Sequence, residues 1–246
     1  PTRRYALKPP DFHGLRAKLL AWPGDRVKAG TPLFFNKMQP HVKYPSPVSG
    51  KVVEINRGER RKILEIIVES DSVMDYENFG KDDPNGMSRE SIVEKLTASG
   101  LWSFIRQRPY SISADPNDDP KAIIISGFNT APLAPDMDLI VKGEAAHFQL
   151  GIDVLSKLTS GKIHLNLKAD YPPSQVFTEA RGVQVNWFKG PHPSGNVGVQ
   201  LNKIDPLNQG EVIWYISPQD IIAIGKLWRE GIYDASKVIA LTGSEV

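Results

Sequence analysis

Val183-Gln184-Val185-Asn186-Trp187-Phe188-Lys189-Gly190-Pro191-His192-Pro193-Ser194-Gly195-Asn196-Val197-Gly198 is the stretch on which the fold turns. Its first residues alternate apolar and polar, the period of a strand. The loop that follows carries one histidine between Pro191 and Pro193, which restrict the direction in which the imidazole is presented. Gly190, Gly195 and Gly198 permit positive φ or close backbone approach. A loop at a strand's end, leading into a helix, is where α/β domains place a ligand or a partner. A rigid turn with no ligand is the competing reading.

Further strands and helices flank it. Lys121 to Ser126 reads as a buried strand, followed by Gly127-Phe128-Asn129-Thr130 at its carboxyl end. Glu144 to Thr159 is amphipathic, with Phe148, Ile152, Leu155 and Leu158 on one face and Gly161 beyond it. Lys162 to Leu167 and Glu211 to Ile216 read as strands. Ser217-Pro218-Gln219-Asp220 opens a helix, with Ser at the N-cap, Pro at N1 and an acid at N3. That helix runs to about Glu230, and Lys237 to Leu241 reads as a closing strand. Strands alternating with helices predict a largely parallel, Rossmann-like α/β domain over residues 121–246.

Upstream, Asp71 to Met87 is acidic and interrupted by Gly80, Pro84 and Gly86, the composition of a boundary. Ser88 caps a predicted helix from Arg89 to Ser99, which Gly100 ends. Leu101 to Gln107 reads as a second short helical turn stopped by Pro109. Arg106 and Arg108 then sit near a helix C-terminus, where positive charge is favoured; contact with an anionic group is the sharper expectation for both. Residues 71–120 are therefore read as an acidic linker and helical hinge.

Residues 1–70 alternate short strands with Gly/Pro turns, the pattern of a small β-sandwich. Pro23-Gly24-Asp25-x-Val27-x-x-Gly30-x-Pro32-Leu33, then Pro47-Val48-Ser49-Gly50-Lys51-Val52, resembles the biotinyl/lipoyl carrier domains, in which a Lys at a hairpin tip carries the cofactor. Lys37 beside Met38 invites that role. Against it, Lys37 lies twelve residues before Ser49, Asn36 rather than Met precedes it, and Pro40 stiffens the turn. Lys37 is expected to be exposed and unmodified, with no cofactor bound covalently. Arg57, Arg60, Arg61 and Lys62 form a basic cluster, either a solvated turn or a contact for an anionic lipid or acidic partner.

The chain has 246 residues, 40% of them hydrophobic, and 30 basic residues against 28 acidic ones give a net charge of +2. That balance does not favour nucleic acid. There is no cysteine, which excludes thiolate iron–sulfur ligation, disulfides and a cysteine nucleophile within the chain and fits a reducing compartment. No apolar run approaches the ~20 residues of a membrane span, and no signal peptide is visible. The start at Pro1 and the stop at Val246 are read as those of a piece of a longer protein.

Ala98-Ser99-Gly100-Leu101-Trp102, Arg106-x-Arg108-Pro109, Gly190 to Gly198 and Gln219-Asp220-Ile221-Ile222-Ala223-Ile224-Gly225-Lys226-Leu227 together resemble the A-subunit family of the sodium-translocating NADH:quinone oxidoreductase. The resemblance runs over essentially the whole chain, and the family's C-terminal domains lie beyond it. It implies a peripheral component on the cytoplasmic side of the bacterial inner membrane. Its partners would be the membrane-embedded and flavin-bearing subunits of the pump. It also implies ubiquinone or a related quinone in the assembled complex, with NADH, flavin and iron–sulfur chemistry left to other subunits. A quinone site needs an aromatic or aliphatic slot with one or two donors for the carbonyls. Trp102, Phe104, Tyr110, Phe128, Trp187 and Phe188 offer the first, and His192 is singled out as the donor.

Two other functions compete: a biotin- or lipoate-type carrier, and a soluble nucleotide-dependent dehydrogenase. The order of segments also looks like the flavin-bearing subunit of respiratory complex I, where Ser-Gly-Leu leads into a glycine-rich phosphate loop. Here Ser99-Gly100-Leu101 leads into Trp102-Ser103-Phe104-Ile105, whose side chains occupy the place of bare backbone. No G-x-G-x-x-G occurs. The expectation is that this chain alone binds neither FMN nor NADH.

Overall fold

The computed structural model describes residues 2–243; Pro1 and residues 244–246, Val246 among them, lie outside the described residues. The chain divides into two compact units. One comprises Pro1–Asp82, Val93–Ser103 and Lys226–Ala235, the other Asp83–Ile92, Phe104–Gly225 and Ser236–Val246.

The first unit is built on two antiparallel sheets. Its strands are β1 (Arg4–Leu7), β2 (Ala17–Leu19), β3 (Arg26–Val27), β4 (Pro32–Asn36), β5 (Gln39–Pro45), β6 (Gly50–Arg57) and β7 (Ile63–Ser70). One sheet has the order β1-β7-β6-β3, the other β2-β4-β5. Val52, Ile66 and Val68 of the first sheet and Leu33, Phe34, Val42 and Tyr44 of the second are buried. Phe34 and Tyr44 stack at 4.8 Å between ring centroids, and Phe12 meets Tyr44 edge-on at 4.7 Å. Lys37 and Met38 form the exposed two-residue tip of the β4–β5 hairpin. Strand β1 has no counterpart among the sequence expectations: it is a mostly exposed edge strand, paired with β7 alone, and lacks an apolar alternation to betray it.

The second unit holds a six-stranded sheet. Its strands are β8 (Arg106–Arg108), β9 (Ile112–Ser113), β10 (Ala122–Ser126), β11 (Lys162–Lys168), β12 (Gln184–Phe188) and β13 (Ile213–Ile216), in the order β12-β11-β10-β13-β8-β9. The first four are parallel; β8 and β9 add on antiparallel. The helices are α1 (Arg89–Ser99), whose residues divide between the two units, then α2 (Met137–Ile140), α3 (Ala145–Leu155), α4 (Gln175–Thr178), α5 (Val197–Ile204) and α6 (Pro218–Glu230), which also spans the division. On one face of the sheet, Leu201 of α5 packs on Ala122, Ile124 and Ile213. Elsewhere in the unit, α3 and α6 touch backbone to backbone. A Cβ on Gly225 would lie 1.9 Å from the His147 carbonyl oxygen, and one on Gly151 would lie 2.3 Å from that of Ile221. Ser217 caps α6 as expected, donating to Asp220 Oδ2 at 2.7 Å while accepting from the Asp220 N–H at 3.2 Å.

Two expected elements are corrected. Helical structure after α1 stops at Phe104, as a 3-10 turn from Leu101. Arg106 and Arg108 therefore lie in strand β8, not near a helix C-terminus. Beside β13 there is an unpaired row of backbone groups to satisfy, and that outweighs the local helical preference of the sequence. Gln107 secures the pairing by accepting from the Trp214 indole at 3.1 Å. Lys237 to Leu241 is not a strand. It lies beside the start of α6, where Lys237 pairs with Asp220 and the Val238 N–H donates to Gln219 at 3.2 Å. Those contacts take the place of a ladder.

Candidate functional site

The chain places β11 and β12 to one side of β10, then crosses back through α5 to place β13 on the other. The direction in which strands are added thus reverses between β10 and β13. Open α/β sheets bind ligands at such a point, beyond the carboxyl ends of the strands. A crevice of about 240 Å³ opens there. Its walls include Phe104, Phe128 and Tyr215, and its polar groups include Arg106, Ser126 and Asp220.

The stretch from Gly190 to Gly198 reaches this crevice through Gly195 and Val197 and not through its histidine. The Gly195 N–H donates to Thr130 Oγ1 at 3.0 Å. A Cβ at Gly195 would lie 2.6 Å from the Thr130 nitrogen, so only glycine allows the loop to sit against the end of β10. His192 is exposed, with Nδ1 3.2 Å from the same Thr130 hydroxyl. It stands two hydrogen bonds from the crevice lining, through Thr130 to Gly195. Within the loop, Ser194 Oγ donates to the Gly190 carbonyl at 2.9 Å, and Asn196 caps α5 by accepting from the Gly198 N–H at 2.8 Å.

Beneath the loop runs a buried polar network that the sequence reading missed. Asn186 donates to Asn166 at 2.9 Å, Asn166 to Gln200 at 2.9 Å, and Gln200 to Ser126 Oγ at 2.9 Å. Asn166 and Gln200 are completely buried, so each amide must find partners inside. His164 joins through Nδ1, 3.1 Å from the Asn186 amide nitrogen. Burial holds the His164 pKa below the usual imidazole value, with Lys162 adding to the shift. A signal for the network does exist in the residues: His164 and Asn166 sit two apart in an apolar strand, as do Gln184 and Asn186 in the next.

Of the two arginines expected to contact an anion, Arg106 lines the crevice and donates to the Ser111 carbonyl at 2.7 Å. The Arg108 guanidinium carbon lies 5.2 Å from the centre of the Tyr215 ring. The Nε of each is buried without a hydrogen-bond partner among the described residues. Tyr215 OH is fixed 2.6 Å from Ser111 Oγ. Asp220 is occupied by Ser217 and Lys237, which leaves it poorly suited to act as a base. Among the other aromatics, Trp102 is fully buried, Tyr110 and Trp187 are exposed, and Phe188 lies 6.4 Å from Phe128 between ring centroids. No group of three or more His, Cys, Asp or Glu among the described residues is placed to hold a metal ion. The arrangement suits a small planar acceptor: aromatic walls, one guanidinium and a glycine edge.

Comparison with known proteins decides the family. A family model described as the NqrA N-terminal barrel-sandwich hybrid domain matches residues 1–71, and one described as the NqrA second alpha/beta domain matches residues 87–233. The chain belongs to the NqrA family. Curated relatives agree, each named as the A subunit of Na(+)-translocating NADH-quinone reductase. The one from Yersinia pseudotuberculosis serotype O:1b (strain IP 31758) is 38% identical over 245 residues, covering 98% of this chain and 54% of its own length. That from Photorhabdus laumondii subsp. laumondii is 38% identical over 249 residues, covering 100% and 55%. That from Saccharophagus degradans is 36% identical over 238 residues, covering 96% and 53%. This chain thus spans about half the length of the relatives it matches. It has a barrel-sandwich hybrid domain followed by an α/β domain, and no helix among the described residues is long and apolar enough to cross a membrane.

Proposed function

We propose that this chain acts within a Na⁺-translocating NADH:quinone oxidoreductase, as a peripheral part that docks on other subunits and contributes to a quinone site. On this reading it lies on the cytoplasmic side of the bacterial inner membrane and leaves flavin, iron–sulfur and NADH chemistry to its partners. Segments 1–70, 71–120 and 121–246 serve as scaffold, hinge and quinone-associated Rossmann-like domain. Support for the Rossmann-like reading is the four parallel strands with crossovers through α3 and α5.

The observation that carries the quinone reading is the crevice between β10 and β13. Its volume of about 240 Å³ falls below the ~300 Å³ at which drug-sized pockets begin, so it would take one substituted ring with its tail outside. Phe104, Phe128 and Tyr215 would flank the ring, and Arg106 would donate to a carbonyl. His192, exposed beside Thr130, is the second donor proposed. The test is quinone kinetics of the assembled pump carrying Arg106→Gln or His192→Ala. Arg106→Gln should raise the quinone KM about tenfold, the worth of one charge-assisted hydrogen bond, and His192→Ala should raise it less. Unaltered KM in both variants would confine this chain to docking, which recovery of the partner subunits from membranes by the tagged chain examines separately.

A further inference from the structure

The first unit carries a second concavity, unrelated to the crevice. It is an open groove of about 930 Å³. Arg57, Arg60, Arg61 and Lys62 enter it from the β6–β7 turn, Arg16 and Lys18 from β2 and the residue before it, and Lys37 from the β4–β5 hairpin tip. No aspartate or glutamate lines it, although acids nearly equal bases along the whole chain. Glu59, in the same turn, is exposed and outside the lining.

None of the seven cations has a carboxylate partner among the described residues. Arg57 donates to the Arg61 carbonyl at 3.1 Å, and Lys18 lies 5.7 Å from the Phe35 ring centre. The side chains of Arg16, Lys37, Arg60, Arg61 and Lys62 make no hydrogen bond or ion pair within the described residues. Some other cations of the same unit do have carboxylate partners: Lys8 with Glu65, Arg26 with Asp71, Lys28 with Asp75 and Lys95 with Asp82. Like charges gathered in a concavity repel one another and raise the local positive potential, an arrangement that favours an anion.

The turn itself is held in an uncommon shape. Arg60 and Arg61 are consecutive and both left-handed, at φ 53° and 60°, a region that arginine seldom occupies. Such backbone, found where charge converges, points to a ligand more than to a plain connection. Trp22, 55% exposed, adds an indole to the wall.

We propose that this groove is a binding site for a phosphate-bearing anion. Three arginines in one turn present planar forks of N–H donors, which match phosphate oxygens two at a time. The lysines add mobile point charges around them. The phosphate has two sources, a soluble polyphosphate or the headgroups of anionic lipid, and both offer the same oxygens.

The experiment uses the whole 246-residue chain and two probes, sodium tripolyphosphate followed by calorimetry and flotation with phosphatidylcholine vesicles containing phosphatidylglycerol. Poly-L-glutamate serves as a carboxylate control. The groove variant R57Q/R60Q/R61Q/K62Q is compared with K51Q/K81Q/K142Q/K203Q, which loses the same charge from exposed positions outside the groove. Thermal melts check that both fold. At least one phosphate probe should bind, and the groove variant should weaken it at least about tenfold while the other variant stays within about twofold. Binding of tripolyphosphate alone identifies a soluble ligand, and binding of vesicles alone identifies headgroups. The proposal fails if neither phosphate probe binds, if both variants lose equally, or if poly-L-glutamate binds as tightly as the phosphates, the mark of an acidic protein partner.

Discussion

In the first unit 18 basic residues stand against 13 acidic ones, a net charge of +5; in the second, 12 stand against 15, a net −3. The two units also use their charges differently. The first leaves seven cations open to solvent in one groove. The second ties many of its own into loops and caps: Lys121 holds Asp205 at 2.7 Å and Glu211 at 2.9 Å, Lys237 holds Asp220, and Arg89 donates to the Asp118 carbonyl at 2.6 Å. An ion pair on a surface adds little stability, so its use in the second unit is to fix where a loop lies. Charge without a partner adds none and is available for a ligand. The contrast separates a region whose geometry is specified in detail from one whose electrostatic field is its main feature.

The contrast would break most visibly at the α3–α6 contact. Gly225→Val should destabilise the second unit by about 3 kcal/mol, because backbone faces the new side chain and cannot rotate away. Calorimetry should show a melting temperature lower by roughly 6–12 °C, whereas Arg61→Gln in the groove turn should move it by less than about 2 °C. Equal effects would mean that the two regions are not specified differently. Next in size is Gln200→Leu, which strands the Asn166 and Ser126 groups that it satisfied. About 2 kcal/mol should be lost, read from urea unfolding with the slope unchanged.

A smaller effect is set by pH. His164 has a folded-state pKa below its unfolded one, so the unfolded chain binds more protons as pH falls through the ordinary imidazole value. Stability from this group is complete above about pH 7 and declines on acidification through about 6.5, the unperturbed value. The melting temperature of the chain should drop more between about pH 7.5 and 5.5 than that of His164→Gln; parallel curves would remove His164 from the account. Smallest is Glu211. Hydrogen bonds from the Asn208 backbone, then from Lys121, pull its pKa to about 2. Lys121→Met should let it rise toward the ordinary carboxylate value, as read by NMR titration, with little change in melting at neutral pH.

Legibility from sequence follows the same division. Strands marked by an apolar run, such as Ile63 to Val68 and Lys121 to Ser126, stand close to where the residues put them, and Ser217-Pro218 starts α6 as its chemistry demands. Arg106-Gln107-Arg108 carries no apolar period at all; it becomes a strand only because β13 offers it an edge. Lys237 to Leu241 has the composition of a strand but is held beside the start of α6 instead. At the site, the loop follows a strand as its alternation implies, but its histidine is the residue that stands out from sequence, being chemically conspicuous. Gly195 and Thr130 make the actual contact with the end of β10, and a glycine's role becomes visible only when its neighbour across the fold is known. The same holds for Gln200, whose partners lie 34 and 74 residues away.

The amide chain under the loop also has a direction. Every donor from Asn186 through Asn166 and Gln200 to Ser126 points the same way, and the Ser126 hydroxyl passes the sense on to the Phe128 carbonyl at 2.9 Å. Turning one amide over would set donor against donor at one end and acceptor against acceptor at the other, so the row can reverse only as a whole. At its upstream end the Asn186 amide nitrogen lies 3.1 Å from His164 Nδ1, which accepts from it in the tautomer that leaves that nitrogen bare. The tautomer of His164 is thereby linked to the orientation of a hydroxyl on the crevice wall, three amides away.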